Sequence, residues 1–319
     1  MYGRPLVRAL ALVAVIAGCK FAPPSASTDA LGDDGASNSD GQGSCLEKWR
    51  AHSVVLDAPT KLAELSTTNT NVEPWISPDG LSLVFVQEEM PNKGEIMVAT
   101  RSTTDQPFGS ILPSDLSNPT SDESKASFVA DYSLAVFSSD LDLATNKGET
   151  DLYAATRQPA SDPNGDWSTP SQAMFELLNT SGKDQDPWLN ADGSRLYLSI
   201  DPGGPTTKSY LAVSTRSTGL YVAHTILVNS NEGDQDPTLS PDERVLVFTS
   251  TRGGGVGKRD LWYATRDSAT AGFTGDATHL AAINSSEEDE DPALSADGCT
   301  LYFVSSRDGG RDLFVAQVQ

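Results

Sequence analysis

Residues that serve acid–base or metal chemistry are scarce in this sequence. Its 319 residues include three histidines, His52, His224 and His279, at unrelated positions. The sequence has no Gly-x-Ser-x-Gly motif and no closely spaced pair of histidine or cysteine ligands. It therefore offers no motif of a serine hydrolase or of a zinc enzyme, and we expect a protein that is not an enzyme.

Basic residues are also in short supply. The chain has 22 lysines and arginines against 44 aspartates and glutamates, which gives a formal net charge of -22. The acidic residues are spread through the chain. Because a surface this acidic repels phosphate backbones, we expect no nucleic-acid partner.

The apolar run at residues 9–18 is too short to span a bilayer. Arg4 and Arg8 give the segment a positive start, and small residues end it, which is the order of an export signal. We therefore predict a signal peptide over residues 1–18 that is removed from the mature protein.

The end of this segment, Ile16-Ala17-Gly18-Cys19, resembles the lipobox of bacterial lipoproteins. The resemblance implies that Cys19 is acylated and anchors the protein in a membrane. Lys20 follows instead of the aspartate associated with inner-membrane retention, so the expected location is the outer membrane, facing the periplasm or the cell surface. The alternative is an ordinary signal peptide in which Cys19 follows small residues by chance.

Residues 19–50 are predicted to form a flexible tether, because residues 21–44 consist mostly of Ser, Asp, Gly and Pro. Two cysteines remain after Cys19. In an exported protein we interpret Cys45 and Cys299 first as a disulfide, with two separate thiols as the alternative.

One block of sequence recurs five times. The copies read VEPWISPDGLSLVF, SKASFVADYSLAVF, DQDPWLNADGSRLYL, DQDPTLSPDERVLVF and DEDPALSADGCTLYF, beginning at Val72, Ser124, Asp184, Asp234 and Asp289. In each copy a Pro-Asp-Gly-like turn joins an apolar stretch to an alternating run, which predicts a β-hairpin, and a third strand follows. The repeat length suits a propeller blade, so we predict an all-β fold with a single β-propeller of five four-stranded blades.

The spacing between copies predicts how the ring closes. Asn179, Asn229 and Asn284 each lie eight residues before the proline of a copy and mark the end of a fourth strand. The same offset places such a strand within residues 54–65, where no hairpin precedes it, while the last copy ends after its third strand. We therefore expect residues 54–65 to complete the last blade of a propeller that covers residues 51–319.

The copies resemble the TolB-like (WD-type) β-propeller repeat, in which Asp-x-x-Pro-x-x-Ser-Pro-Asp-Gly precedes a strand ending in Ser-x-Arg and then Asp-Leu. The fourth copy carries Asp234, Pro237, Asp242 and Asp260 at the matching places, whereas the second copy has Ala126 in place of proline. The resemblance implies a six-bladed propeller as the alternative to five blades. Together with the N-terminal motif, the chain is similar to envelope lipoproteins of this repeat family.

Acidic residues recur where each predicted first strand begins. These positions share one mouth of the central channel, so we expect a partial ring of carboxylates from Glu73, Asp184, Asp186, Asp234, Asp236, Asp289 and Asp291. Such a ring suits a Ca²⁺ ion or a basic segment of a partner. Because the acids recur with the repeat, we favour the alternative that they fix backbone turns within each blade, and we expect no other cofactor.

We expect the propeller to act as a monomeric, non-catalytic scaffold that binds a protein or ligand, such as an envelope protein or a peptidoglycan-associated component. The alternative is a propeller enzyme, a glycoside hydrolase or lactonase, that uses Asp186, Asp236 and Asp291 or a bound Ca²⁺. Equivalence among blades argues against it, because a catalytic acid and base need different environments. Trp75 and Trp188 occupy equivalent places, where packing between blades is the ordinary use and a sugar platform is the alternative.

Overall fold

A computed structural model describes residues 44–89, 93–118, 120–141, 149–204, 206–222, 224–273 and 276–319. The predicted signal peptide, the acylation site Cys19 and the tether as far as residue 43 lie outside these ranges. Within the ranges, no helix has the length and apolar character needed to cross a membrane.

The chain folds into a five-bladed β-propeller, as the repeat predicts. Its strands form five small antiparallel sheets, and the first strand of each sheet packs against the first strands of its two neighbours in cyclic order. The second strand of each sheet supplies large side chains to the core, and they include the fully buried Phe85, Phe137, Tyr197, Phe248 and Phe303.

The elements follow the chain in a simple order. Their bounds are α1 Cys45–Arg50, β1 Thr60–Lys61, β2 Thr70–Ile76, β3 Ser82–Glu89, β4 Lys93–Thr100, β5 Gly109–Pro113, β6 Glu123–Phe128, β7 Leu134–Ser139, β8 Asp151–Thr156, β9 Lys183–Leu189, β10 Arg195–Asp201, β11 Tyr210–Ser217, β12 Leu220–Tyr221, β13 Thr225–Ile226, β14 Asp234–Leu239, β15 Val245–Ser250, β16 Asp260–Thr265, β17 Thr278–His279, β18 Asp289–Leu294, β19 Thr300–Ser305 and β20 Asp312–Gln317, with a 3-10 turn at Ala173–Phe175. Blade 1 is β2–β5, blade 2 is β6–β8, blade 3 is β9–β13, blade 4 is β14–β17, and blade 5 is β18–β20 with β1.

The ring closes where the spacing of the copies predicts. β1 pairs antiparallel with β20, so that Thr60 lies opposite Val315. Leu56 forms a further bridge to Val318, and the amide of Leu62 donates to the carbonyl of Leu313 at 2.9 Å. The N-terminal strand thus supplies the outer strand of blade 5 and covers an edge that would otherwise be open to pairing with another chain.

The prediction of four strands in every blade is wrong for blades 2 and 3. Among its described residues blade 2 has three strands, and in place of a fourth, Ser171 exchanges two backbone hydrogen bonds of 2.9 Å with Ala154. The segment between them contains Pro159, Pro163 and Pro170, which cannot donate to a strand ladder. In blade 3 the outer position is divided between the short strands β12 and β13, both paired with β11.

The end of the predicted tether is ordered. Residues 45–50 form α1, whose N-cap is Ser44, and Trp49 is fully buried. The indole of Trp49 donates to the carbonyl of Gly298 at 2.8 Å, and its ring meets Tyr263 edge to face with centroids 5.0 Å apart. The burial of one large aromatic side chain explains why this stretch folds onto the propeller although its flanking sequence is polar.

A disulfide joins α1 to the last blade. Cys45 and Cys299 have their sulfurs bonded at 2.01 Å and their Cα atoms 5.1 Å apart. Because Cys299 lies just after the hairpin turn of blade 5 and Cys45 lies upstream of β1, the bond ties the two ends of the ring together.

Candidate functional site

The seven acidic residues that the sequence places in one ring separate into two sets. Asp184, Asp234 and Asp289 form the first set, and all three are fully buried. Each accepts a hydrogen bond from the backbone amide four residues earlier, that of Thr180 at 2.5 Å, Ser230 at 2.7 Å and Ser285 at 2.5 Å. These carboxylates therefore fix the loop that leads into a first strand, which is the structural role favoured from the sequence.

Arginines neutralise two members of this set. Arg252 pairs with Asp234 at 2.7 Å, and Arg307 pairs with Asp289 at 2.6 Å. Each arginine ends the Ser-x-Arg stretch that follows the second strand of its own blade. The first set is thus internal to single blades.

The second set lies around the axis of the propeller. It contains Glu73, Asp186, Asp236 and Asp291, one from each of blades 1, 3, 4 and 5. Their φ angles are +55°, +55°, +56° and +54°, in the left-handed region that non-glycine residues rarely adopt. At each of these residues the pairing register with the second strand shifts, as in a β-bulge, and such a bulge re-aims a side chain.

Lys125 occupies the equivalent position in blade 2. The innermost positions of the five blades are therefore four carboxylates and one lysine, and we call Glu73, Lys125, Asp186, Asp236 and Asp291 the channel ring. Lys125 is 1% exposed, and its ammonium group makes no hydrogen bond within the part of the chain that the structure describes. It acts on Glu73, Asp186 and Asp236 through its charge.

Hydrogen bonds link neighbouring members of the ring. The carboxylate of Glu73 accepts from the hydroxyl of Ser124 at 2.6 Å and from the backbone amide of Lys125. The amide of Glu73 in turn donates to Asp291 Oδ2 at 3.2 Å. Blades 5, 1 and 2 are thereby joined at the axis by side chain-to-backbone bonds.

The pKa values of the ring carboxyls shift in opposite directions, although burial raises each of them. It raises the pKa of Glu73 to about 7, and it raises the pKa of Asp186 and Asp291 well above their usual range, with the charge of Asp236 adding to both. Burial also pushes the pKa of Asp236 upward. Lys125, the hydroxyl of Thr249 and a hydrogen bond with Asp186 together outweigh that effect and hold the pKa of Asp236 below its usual value.

Two arginines lie next to the ring. Arg311 contacts Asp291 at 3.8 Å and Glu290 at 2.8 Å, and Arg259 contacts Glu290 at 2.6 Å. The acidic ring is therefore partly neutralised by this chain's own cations. We call the side of the propeller where the first strands begin the ring mouth.

The channel ring does not fit the Ca²⁺ ion considered from the sequence. Ca²⁺ takes six to eight oxygen ligands, whereas here an ammonium group occupies one of the five positions. Among the described residues, no group of three or more His, Cys, Asp and Glu side chains is arranged to hold a metal ion. Lys125 instead places an amino group, which cannot act as an oxygen ligand, among the four carboxylates.

Lys125 is the member of the site that the sequence reasoning missed. The second copy diverges from the others because Ala126 replaces proline, and the residue before Ala126 is a lysine where the other copies have an acid. Aligning the five copies column by column sets Lys125 against Glu73 and Asp186. That alignment is the signal that finds it.

No protein-family model and no curated protein matches the chain. Among solved structures, it is similar to TolB from Acinetobacter baumannii, with 16% identity, a TM-score of 0.49, and coverage of 80% of this chain and 56% of that one. A putative TolB from Agrobacterium tumefaciens has 17% identity, a TM-score of 0.45 and coverage of 79% and 77%. Xylan β-1,4-xylosidase from Bacillus halodurans C-125 has 15% identity, a TM-score of 0.49 and coverage of 79% and 53%. The chain spans about half the length of the first and third of these proteins, and at such identities the similarity concerns the propeller fold alone.

Proposed function

We propose that this protein is a non-catalytic binding module of the bacterial envelope, held to the outer membrane by a lipid on Cys19. The propeller is the rigid part that presents a surface to a partner, and the residues between Cys19 and α1 set its reach. The expected partner is an envelope protein or a peptidoglycan-associated component.

The carrying observation is that the acids that recur with the repeat are engaged in building the propeller. Asp186, Asp236 and Asp291 are at most 4% exposed, and the carboxylates of Asp184, Asp234 and Asp289 are bonded to backbone amides. A group with so little accessible surface is poorly placed to touch a substrate, so the repeat chemistry supports a scaffold.

One observation favours a second function. Asp186 and Asp236 are neighbours whose pKa values are moved apart, upward for Asp186 and downward for Asp236. An acid and a base with separated pKa values are what a glycoside hydrolase or a lactonase needs. The two aspartates therefore have different environments although their blades are equivalent. Their burial is the remaining argument against catalysis.

Site-specific photo-cross-linking in living bacteria tests the binding function. A photoreactive amino acid is placed at Ala191, Ile226 or Glu232, which are exposed on the hairpin side, the outer edge and the ring mouth of the propeller. A binding module should give a discrete adduct from one side, and a soluble propeller lacking the lipid signal should compete it away. Absence of any competed adduct from all three positions would contradict the proposal.

Two controls separate the remaining possibilities. Cys19→Ala should abolish incorporation of labelled fatty acid, and retained labelling would refute the anchor. Aryl glycosides and lactones are then offered to the wild type and to Asp186→Asn. Turnover by the wild type that the variant loses would replace the scaffold with the enzyme.

A further inference from the structure

The channel ends in an apolar cup on the side opposite the ring mouth. Its floor is formed by one residue from the end of each first strand, in the order Ile76, Phe128, Leu189, Leu239 and Leu294. The cup has a volume of about 130 Å³. An engineered protein cavity of about 150 Å³ holds one benzene molecule, so the cup, which is slightly smaller and open on one side, can take up a large part of one bulky apolar side chain.

The wall of the cup is aromatic on one side. Trp75 of blade 1 and Trp188 of blade 3 line it, while blades 4 and 5 carry Thr238 and Ala293 at the equivalent positions. The ring of Trp75 packs on Phe128 with centroids 4.8 Å apart. The apolar surface of the cup is therefore widest next to blades 1 to 3.

Carboxylates surround the cup. In each blade the outermost residue that lines the cup is followed directly by the aspartate of a hairpin turn. On the aromatic side these aspartates are Asp79, Asp131 and Asp192, and all three are exposed. Asp131 and Asp192 use Oδ1 to accept the turn amides of Ser133 at 3.0 Å and Ser194 at 2.9 Å. Hydrogen bonds from these same serines lower the pKa of both aspartates, so both are ionised at neutral pH.

The chain's own helix shows what binds to this type of rim. On blades 4 and 5, α1 places Arg50 against Asp242 Oδ2, the free oxygen of a turn aspartate whose Oδ1 accepts from Ser240 at 2.6 Å. Trp49, the neighbour of Arg50, is buried beside Gly298. The rim at blades 4 and 5 thus binds an aromatic residue next to a basic one, whereas no cation among the described residues pairs with Asp79, Asp131 or Asp192.

We propose that the cup and the aspartates Asp79, Asp131 and Asp192 form the docking surface for a basic protein segment that inserts one bulky apolar side chain. The proposal rests on the binding function above and names the site and the partner's chemistry. A second copy of this chain is a poor occupant, because its net charge of -22 and its own aspartate rim would oppose the carboxylates here.

Defined peptides test the proposal on the folded protein. The probe is acetyl-Gly-Lys-Arg-Ala-Trp-Ala-Arg-Lys-Gly-amide, compared with one peptide that has Ala for Trp and another that has Glu for every Lys and Arg. Binding is measured by isothermal titration calorimetry at about 0.15 M salt, where charges farther apart than about 8 Å are screened. We expect the Trp-to-Ala peptide to bind about tenfold more weakly and the acidic peptide not to bind.

Variants of the protein locate the binding. Trp188→Ala should weaken the basic peptide about tenfold, and its thermal unfolding is recorded to verify that it folds. Asp131→Asn with Asp192→Asn should weaken the peptide about fivefold while keeping the turns, because an amide oxygen accepts the same bonds. The charge-matched control, Glu232→Gln with Asp308→Asn at the ring mouth, should change the affinity less than about twofold.

Three results would overturn the proposal. They are equal affinity for all three peptides, equal weakening by the aspartate pair and by its matched control, and binding of cellohexaose in place of the peptide. If the cup proposal fails but photo-cross-linking at Ile226 or Glu232 still yields an adduct that the soluble propeller competes away, the proposed binding function is retained. If no position yields one, the binding function fails together with the cup.

Discussion

Lys125→Met is the substitution that most directly tests the channel ring. Methionine keeps the length and apolar stem of lysine and removes the charge. It would leave Glu73, Asp186, Asp236 and Asp291 facing one another without the buried ammonium group. The lysine is 1% exposed, so water cannot solvate the carboxylates in its place without opening the channel.

The size of the effect follows from burial and from pH. Removing one partner of a buried set of charges costs about 3–5 kcal/mol, and we expect about 4 kcal/mol at pH 8. The pKa of Glu73 is raised to about 7, and a raised pKa contributes stability that is present at low pH and is lost as the pH rises through the folded value. In the variant these carboxyls bind protons more readily still. At pH 5 the loss should therefore be about half as large.

The assay is urea unfolding at pH 5 and pH 8, followed by tryptophan fluorescence. Lys258→Met is the matched control, because Lys258 is 68% exposed and pairs with Glu287 at 3.3 Å, so we expect a change below about 0.5 kcal/mol. The interpretation of the ring is refuted if Lys125→Met costs less than about 1 kcal/mol at pH 8, or if the cost is the same at both pH values.

Three further outcomes are expected. Cys45→Ser with Cys299→Ser, which opens a loop of 254 residues, should lower the free energy of unfolding by about 5 kcal/mol in urea titrations, and a loss below about 1 kcal/mol would contradict a latch. The buried Glu123 has its pKa raised to about 7 from 4.5, so this group alone should contribute a loss of about 3 kcal/mol between pH 4.5 and pH 7, and Glu123→Gln, measured at both pH values, should show a slope smaller than that of the wild type by this amount. Trp49→Ala should cost about 3 kcal/mol and speed amide exchange in residues 45–50, whereas the exposed Glu47→Ala should do neither.

The fold could be predicted because its information is repeated along the chain. Five hairpin signatures gave the blades, and the constant eight-residue offset identified residues 54–65 as the strand that closes the ring. Blade 2 could not be predicted in the same way, because its outer position is covered by a proline-rich segment whose two hydrogen bonds to Ala154 have no repeated signature. α1 was missed because a single buried tryptophan, Trp49, decides it.

The site was harder to predict for a geometric reason. Residues two apart on a regular strand share a face, so Asp184 and Asp186 are expected together. The bulge at Asp186, with φ at +55°, breaks that alternation and turns one carboxylate to the axis while the other holds a loop. A strand pattern does not indicate a bulge. Only the proline that follows each ring acid hints at an irregular backbone.

The divergent second blade determines how the ring titrates. Asp186 and Asp236 hold equivalent places in blades 3 and 4, yet the pKa of the first rises and that of the second falls, because a single lysine cannot neutralise four carboxylates equally. Carboxyl groups at equivalent positions of the repeat can therefore differ in pKa. The same reasoning applies at the opposite mouth, where Arg50 of α1 pairs with Asp242 of blade 4, while the turn aspartates of blades 1 to 3 are exposed. Lys125 and α1 are thus two departures from the fivefold symmetry of the propeller, and one lies at each end of its channel.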